Sequence, residues 1–244
     1  MRRRMRMTLV AALVGVGALA GCSTGAPTTT PPGERPCLQE DQRPAPGDTV
    51  CFSGELDEPL EITVGGTDGA PVTYRGNGAV VPGIRVEADN VVVEGFVSSG
   101  ADSTGIWAQG RNVTLLNNQI TEVEYDGEDV DGIRFFGDGA KIIGNRVFEL
   151  EGSEDIEDSH VDCIQTFATS GPGSSDVVIQ GNRCEEIRAQ CLMAEGPNDE
   201  GGSGEGVSRN WVFDGNYCDS HADAQSVALE DIQDVTITNN EMVG

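Results

Sequence analysis

The stretch Val177-Val178-Ile179-Gln180-Gly181-Asn182 decides the fold, because the chain repeats it. The same alternation of apolar residues, closed by a small residue and then usually an asparagine, runs from Val91 to Phe96, Val113 to Asn118, Ala140 to Asn145, Trp211 to Asn216 and Val235 to Asn240. These six segments end 22, 27, 37, 34 and 24 residues apart. A near-constant minimum with a variable excess is what stacked coils with loops inserted at one corner produce.

Shorter apolar strings lie between them: Gly105 to Ala108, Gly132 to Phe135, Cys163 to Thr166, Cys191 to Ala194 and Ser226 to Leu229. In register, Ile106, Ile133, Ile164, Leu192 and Val227 form one inward column. No helical apolar period of similar length occurs in the chain after its leader. A single rung cannot bury its own apolar face, so neighbours must stack. Asn118, Asn145, Asn182, Asn216 and Asn240 then form a hydrogen-bonding ladder at one turn. The predicted fold is all-β, a single-domain parallel β-helix.

Composition agrees with a folded, turn-rich chain: 244 residues, 37% hydrophobic, 5% aromatic and 33 glycines. The net charge of -26, from 15 basic and 41 acidic residues, excludes an electrostatic nucleic-acid binder, which needs a positive surface to release counterions. Any anionic partner needs a cation at the contact.

Arg2, Arg3, Arg4 and Arg6 precede an apolar run from Thr8 to Ala18, too short to span a bilayer comfortably. Leu19-Ala20-Gly21-Cys22 follows and resembles the bacterial lipobox, which implies cleavage before Cys22 and lipidation of that residue. Residues 1–21 are thus read as a lipoprotein signal peptide, and loss of their four arginines takes the charge to -30. Residues 22–36, rich in Thr, Pro and Gly, read as a flexible tether. Residues 37–88 form an N-terminal cap with the first strands, and 89–244 the rungs. The ladder strand from Val235 to Gly244 is followed by no recognisable cap, which fits a chain whose further rungs are missing. The location implied is extracytoplasmic, membrane contact being through the lipid alone, and the expected oligomeric state is a monomer.

Six cysteines remain for an oxidising compartment: Cys37, Cys51, Cys163, Cys184, Cys191 and Cys218. No CxxC pair supports zinc. Cys184 and Cys218 share one column on adjacent rungs, about 4.8 Å apart in backbone spacing, and Cys163 and Cys191 share another. Bridges along these columns, with Cys37 to Cys51 stapling the start, are the expected pairing; buried stacked thiols are the alternative.

The run Pro46-Gly47-Asp48-Thr49-Val50, followed by Gly65 to Gly76, resembles the N-terminal part of right-handed parallel β-helix proteins of the pectin-lyase-like superfamily. With the rungs, the resemblance covers residues 45–244. It implies the fold; the superfamily holds lyases, hydrolases, epimerases and non-catalytic adhesins, so chemistry must come from the site.

Outward positions of the short strands supply that site. Trp107, Arg134, Gln165, Met193 and Ala228 form one column, and Thr104, Asp131, Asp162, Gln190 and Gln225 stand just before it. Trp107 offers an apolar face to a sugar ring, and Arg134 and Gln165 can bind hydroxyls or carboxylates. His160-Val161-Asp162-Cys163-Ile164-Gln165 resembles a His-x-Asp-x-Ile-Gln element at the functional face of some secreted β-helix proteins. His160 beside a carboxylate suits a general base or a metal ligand. The other histidine, in His221-Ala222-Asp223, is offset by two residues and is not equivalent.

Acid clusters lead into both carboxylate positions: Glu122, Glu124, Asp126, Glu128 and Asp129 before Asp131, and Glu151, Glu154, Asp155, Glu157 and Asp158 before Asp162. Like charge gathered at one corner is either neutralised by a cation or dispersed by solvent. Calcium held by Asp129, Asp131, Asp158 and Asp162 is the first case; EF-hand spacing is absent.

Three functions compete. A polysaccharide lyase acting on a uronate polymer leads, with Arg134, His160, Asp131 and Asp162 as catalytic candidates. Trp107, Gln165 and Arg188 would bind substrate, and the resemblance implies calcium and an Arg or Lys base. A glycoside hydrolase would use Asp131 and Asp162 as its carboxylate pair, but the paired Asp-Asp and later Arg-Ile-Lys of polygalacturonases are missing. A non-catalytic glycan-binding lipoprotein would use the same column without turnover.

Overall fold

The computed structural model describes residues 36–125, 129–150, 160–221 and 225–244. Cys22, Asp158 and the acidic residues 126, 128, 151, 154, 155, 157 and 223 therefore lie outside the described residues. Within them every strand packs against another in parallel, and no helix occurs.

A first strand, β1 (Thr49–Cys51), precedes seven coils of three strands each. They are β2 (Leu60–Ile62), β3 (Val72–Arg75) and β4 (Val80–Val81); β5 (Ile84–Glu87), β6 (Val91–Glu94) and β7 (Val97–Ser99); β8 (Thr104–Gln109), β9 (Thr114–Leu116) and β10 (Gln119–Thr121). Then follow β11 (Val130–Phe136), β12 (Lys141–Ile143) and β13 (Arg146–Val147); β14 (Val161–Phe167), β15 (Val177–Gln180) and β16 (Arg183–Ile187). The last two are β17 (Leu192–Glu195), β18 (Ser208–Asp214) and β19 (Tyr217–Ser220); β20 (Val227–Glu230), β21 (Ile232–Thr238) and β22 (Glu241–Val243). Each strand pairs with its counterpart one coil away. The first sheet runs β2-β5-β8-β11-β14-β17-β20, the second β1-β3-β6-β9-β12-β15-β18-β21 and the third β4-β7-β10-β13-β16-β19-β22. This is a parallel β-solenoid.

Alternation fixes what is inside. Val177 and Ile179 are fully buried while Val178 between them is half-buried, and the same parity holds for Val91, Val93, Leu115 and Ile142. Ile106, Ile133 and Ile164 pair in register and stack through the middle, followed by Leu192 and the partly buried Val227. In the last coil Ile237 and Met242, which continue the columns of Phe213 and Cys218, are exposed.

The asparagine ladder forms as expected. Asn118 Oδ1 accepts from the backbone N–H of Phe96, and each later ladder oxygen accepts from both the backbone and the side-chain amide of the asparagine one coil before it, at 2.8–3.1 Å. Each Nδ2 also donates to a strand carbonyl, as Asn182 does to Ile142 at 2.8 Å. The small residue before each ladder position has a physical reason: Gly95, Asn117, Gly144, Gly181, Gly215 and Asn239 all sit at positive φ, between 53° and 67°. Side chains with a Cβ resist that corner, and glycine and asparagine tolerate it best.

Three disulfides close the structure, and two depart from expectation. Cys37 bonds Cys51, but Cys163 bonds Cys184 and Cys191 bonds Cys218. The expected columns are real, since Cys184 and Cys218 pair in register. The bridges, however, cross between sheets inside one coil, at Cα separations of 5.9 Å, instead of running along the columns. Packing explains it. One coil earlier, a Cβ on Gly132 would lie 2.4 Å from Val147, and a coil before that one on Gly105 would lie 2.3 Å from Ile120. This corner therefore faces the first sheet's inward residue straight at the third sheet's. Where upstream coils put a glycine against a β-branched residue, the two downstream coils put cysteine against cysteine.

Candidate functional site

The outer face of the first sheet carries the predicted column. Trp107, Arg134, Gln165, Met193 and Ala228 stand in register on successive strands, preceded by Arg85, which was outside the expected set; against expectation Gln165 and Ala228 are buried and line neither cavity on this face. Two residues further along each strand, Gln109 and Phe136 pair, as do Phe167 and Glu195, and Glu195 and Glu230. Two cavities open on this face, of about 520 Å³ and about 340 Å³, and Trp107 and Arg134 line both. The larger also takes in Phe136, Phe167, Arg111 and the glycine-rich loop from Ala168 to Ser174.

Trp107 is less free than its sequence position suggests. The Arg85 guanidinium lies 3.7 Å from the indole centroid and covers one face, while Arg85 is itself paired with Glu87. The aromatic surface instead extends sideways: Phe136 lies 5.7 Å from Trp107 and meets Phe167 edge-on at 5.1 Å. Phe136 and Phe167 were not among the predicted site residues. The signal was present, because each sits two positions after a column residue and shares its outward parity.

Arg134 occupies the junction. Its Nε donates to Asp131 Oδ2 at 2.7 Å and its Nη2 pairs with the same oxygen, so the side chain is 16% exposed and held from below. Among the described residues Nη1 makes no hydrogen bond or ion pair. The guanidinium also sits 5.6 Å from the Phe167 ring centroid.

Asp131 and Asp162 pair in register, as expected, but both are fully buried. They lie beneath the groove, and neither lines a cavity. Asp162 Oδ1 accepts from the Gln190 backbone N–H at 2.7 Å, and its Oδ2 lies 3.4 Å from Gln165 Nε2. Asp131 Oδ1 and Gln165 Oε1 are buried acceptors with no donor. Burial pushes the Asp131 carboxyl up to about 8, with Arg134 opposing and Asp162 adding to the rise. Burial likewise lifts Asp162 to about 7, opposed by the Gln190 N–H and reinforced by Asp129.

The remaining candidates do not reach the groove. His160 is exposed just before β14, donates its backbone N–H to Asp129 Oδ1 at 3.0 Å, and lines neither cavity. Arg188 lies in the turn between β16 and β17 and also lines neither. The carboxylate oxygens of Asp129, Asp131 and Asp162 do not gather within 4.8 Å of one another. Among the described residues the group that does is Glu195, Asp199 and Glu230. The expected calcium set also included Asp158, which lies outside the described residues; of the other three, Asp131 already has the Arg134 guanidinium against it.

Comparison with known proteins returned no matching family model, curated protein or solved structure.

Proposed function

We propose that this chain is an exported, lipid-anchored β-helix protein, wound right-handed as parallel strand crossovers are, that binds an acidic polysaccharide along the outer face of its first sheet. The observation that carries this reading is the junction at Arg134. A guanidinium with an unspent edge stands between two cavities, beside a row formed by Trp107, Phe136 and Phe167. Aromatic rings suit the apolar faces of sugars, and the guanidinium suits a carboxylate. In a chain of net charge -26, such a cation is what an acidic glycan requires.

Turnover by β-elimination is the second reading. Two buried acids beneath Arg134, their carboxyls pushed up by burial, favour it because shifted carboxyls gather at functional sites, although neither reaches the groove to move a proton itself. Arg134 would hold the uronate carboxylate and withdraw charge; a base would take the α proton, and the glycosidic C–O bond β to the carboxylate would break. Hydrolysis through Asp131 and Asp162 has less support, since neither reaches the groove.

The test uses the soluble domain with a panel of uronate and neutral polymers, following binding by intrinsic fluorescence and turnover by the ultraviolet absorbance of unsaturated uronate. Binding confined to acidic polymers is expected. Equal affinity for neutral polymers, or no binding to any, contradicts the reading.

A further inference from the structure

The sequence gathers acids around Asp131 and Asp162 as though for a metal ion, yet among the described residues the carboxylates of Asp129, Asp131 and Asp162 do not converge, and a guanidinium lies against one of them. One oxygen of each of the three described carboxylates is already engaged by a protein donor. Asp129 Oδ1 is taken by the His160 N–H, Asp162 Oδ1 by the Gln190 N–H, and Asp131 Oδ2 by two nitrogens of Arg134. A divalent ion at Asp131 would have to displace Arg134 or sit against its positive charge in a dry site, where repulsion is least screened.

We propose that Arg134 is the resident cation of this site, standing in for a divalent metal, and that it receives the ligand's carboxylate directly through Nη1. This rests on the acidic-polysaccharide reading for the identity of the ligand, but not for the absence of a metal requirement. The division of labour within the guanidinium follows from its planar fork. Nε and Nη2 bind Asp131 Oδ2 and fix the orientation of the guanidinium, Nη1 is left over, and Arg134 lines both cavities. Lysine cannot divide its donors in this way, because a point charge has no second edge.

The experiment measures thermal unfolding in calcium and in chelator, together with the affinity for a uronate oligosaccharide in both conditions. The wild-type domain is expected to melt at the same temperature in each and to bind equally well. Arg134→Ala leaves Asp131 buried without its cation. It should melt lower in chelator, recover part of the loss when calcium is added, and bind the oligosaccharide at least 10-fold more weakly. Arg134→Lys should recover most of the stability and little of the affinity. If Arg134→Ala does not fold, Asp131→Asn with Arg134→Gln removes both charges together and should fold, show no calcium response and still lose 10-fold in affinity.

A saturable rise in the wild-type melting temperature with calcium, or binding abolished by chelator, overturns the proposal while leaving the polysaccharide reading intact. Failure of every glycan to bind overturns the polysaccharide reading, and the calcium response of Arg134→Ala still decides the resident-cation role.

Discussion

Arg134 directs Nε and Nη2 to a single oxygen of Asp131, and the other oxygen of that carboxylate is buried with no donor. A fully ionised carboxylate would leave Oδ1 charged and dry, which is costly. That cost, only partly offset by Arg134, is what pushes the Asp131 carboxyl up to about 8.

That shift fixes the sign of a pH dependence. Asp131 and Asp162 bind protons more tightly folded, at about 8 and about 7, than at their ordinary value of 3.8. Their contribution to stability is fully present below pH 3.8 and is lost as pH rises through about 7 and 8. Melting temperature should fall between pH 5 and pH 8, by a stability change of at least about 1 kcal/mol. Asp162→Asn should flatten the slope in thermal scans across that range; an unchanged slope contradicts the assignment.

Disulfide connectivity is checkable by peptide mapping of the unreduced protein. Cys163 with Cys184 and Cys191 with Cys218 are expected, and column-wise pairs would contradict the corner packing. A sharper form replaces Cys163→Gly and Cys184→Val together, copying the Gly132 and Val147 contact one coil earlier. The domain should still fold, losing about 3 kcal/mol from the opened loop, whereas Cys163→Val alone should clash and cost more.

Asn182 holds two coils. Its Oδ1 accepts two bonds from Asn145 and its Nδ2 donates to Ile142, all buried. Asn182→Ala should cost about 2–4 kcal/mol by denaturant titration, since several buried groups lose partners at once. A loss under about 1 kcal/mol would mean the ladder is ornamental.

Phe136 and Phe167 are half-buried on the outer face, so their removal should affect ligand more than fold. Phe136→Ala or Phe167→Ala should weaken acidic-glycan binding about 10-fold, with the melting temperature nearly unchanged. Equal affinity in both variants would place the ligand elsewhere.

The solenoid was legible because its determinants are local and periodic. Alternation set which of Val177, Val178 and Ile179 point inward, and the glycine or asparagine before each ladder residue marked the left-handed corner. Register then placed Arg134 between Trp107 and Gln165 correctly. What register does not encode is how far a side chain projects or what closes over it. Asp131 and Asp162 were assigned to the right rungs but read as open, because their burial depends on Arg134 folding down and on the Gln190 turn. The cysteine columns were read correctly and the bonds wrongly, since the direction of each sulfur is set by the facing sheet. The clue lay in Gly105 with Ile120 and Gly132 with Val147, small against large, at the positions where the next coils carry cysteine pairs.

The most direct test of the account is a structure of the domain with an acidic oligosaccharide bound. Density should cross the first sheet between the two cavities, a carboxylate within hydrogen-bond reach of Arg134 Nη1 and sugar rings against Phe136 and Phe167, with no metal between. A ligand seated on the second or third sheet, or joined to Asp131 and Asp162 through an ion, would contradict it.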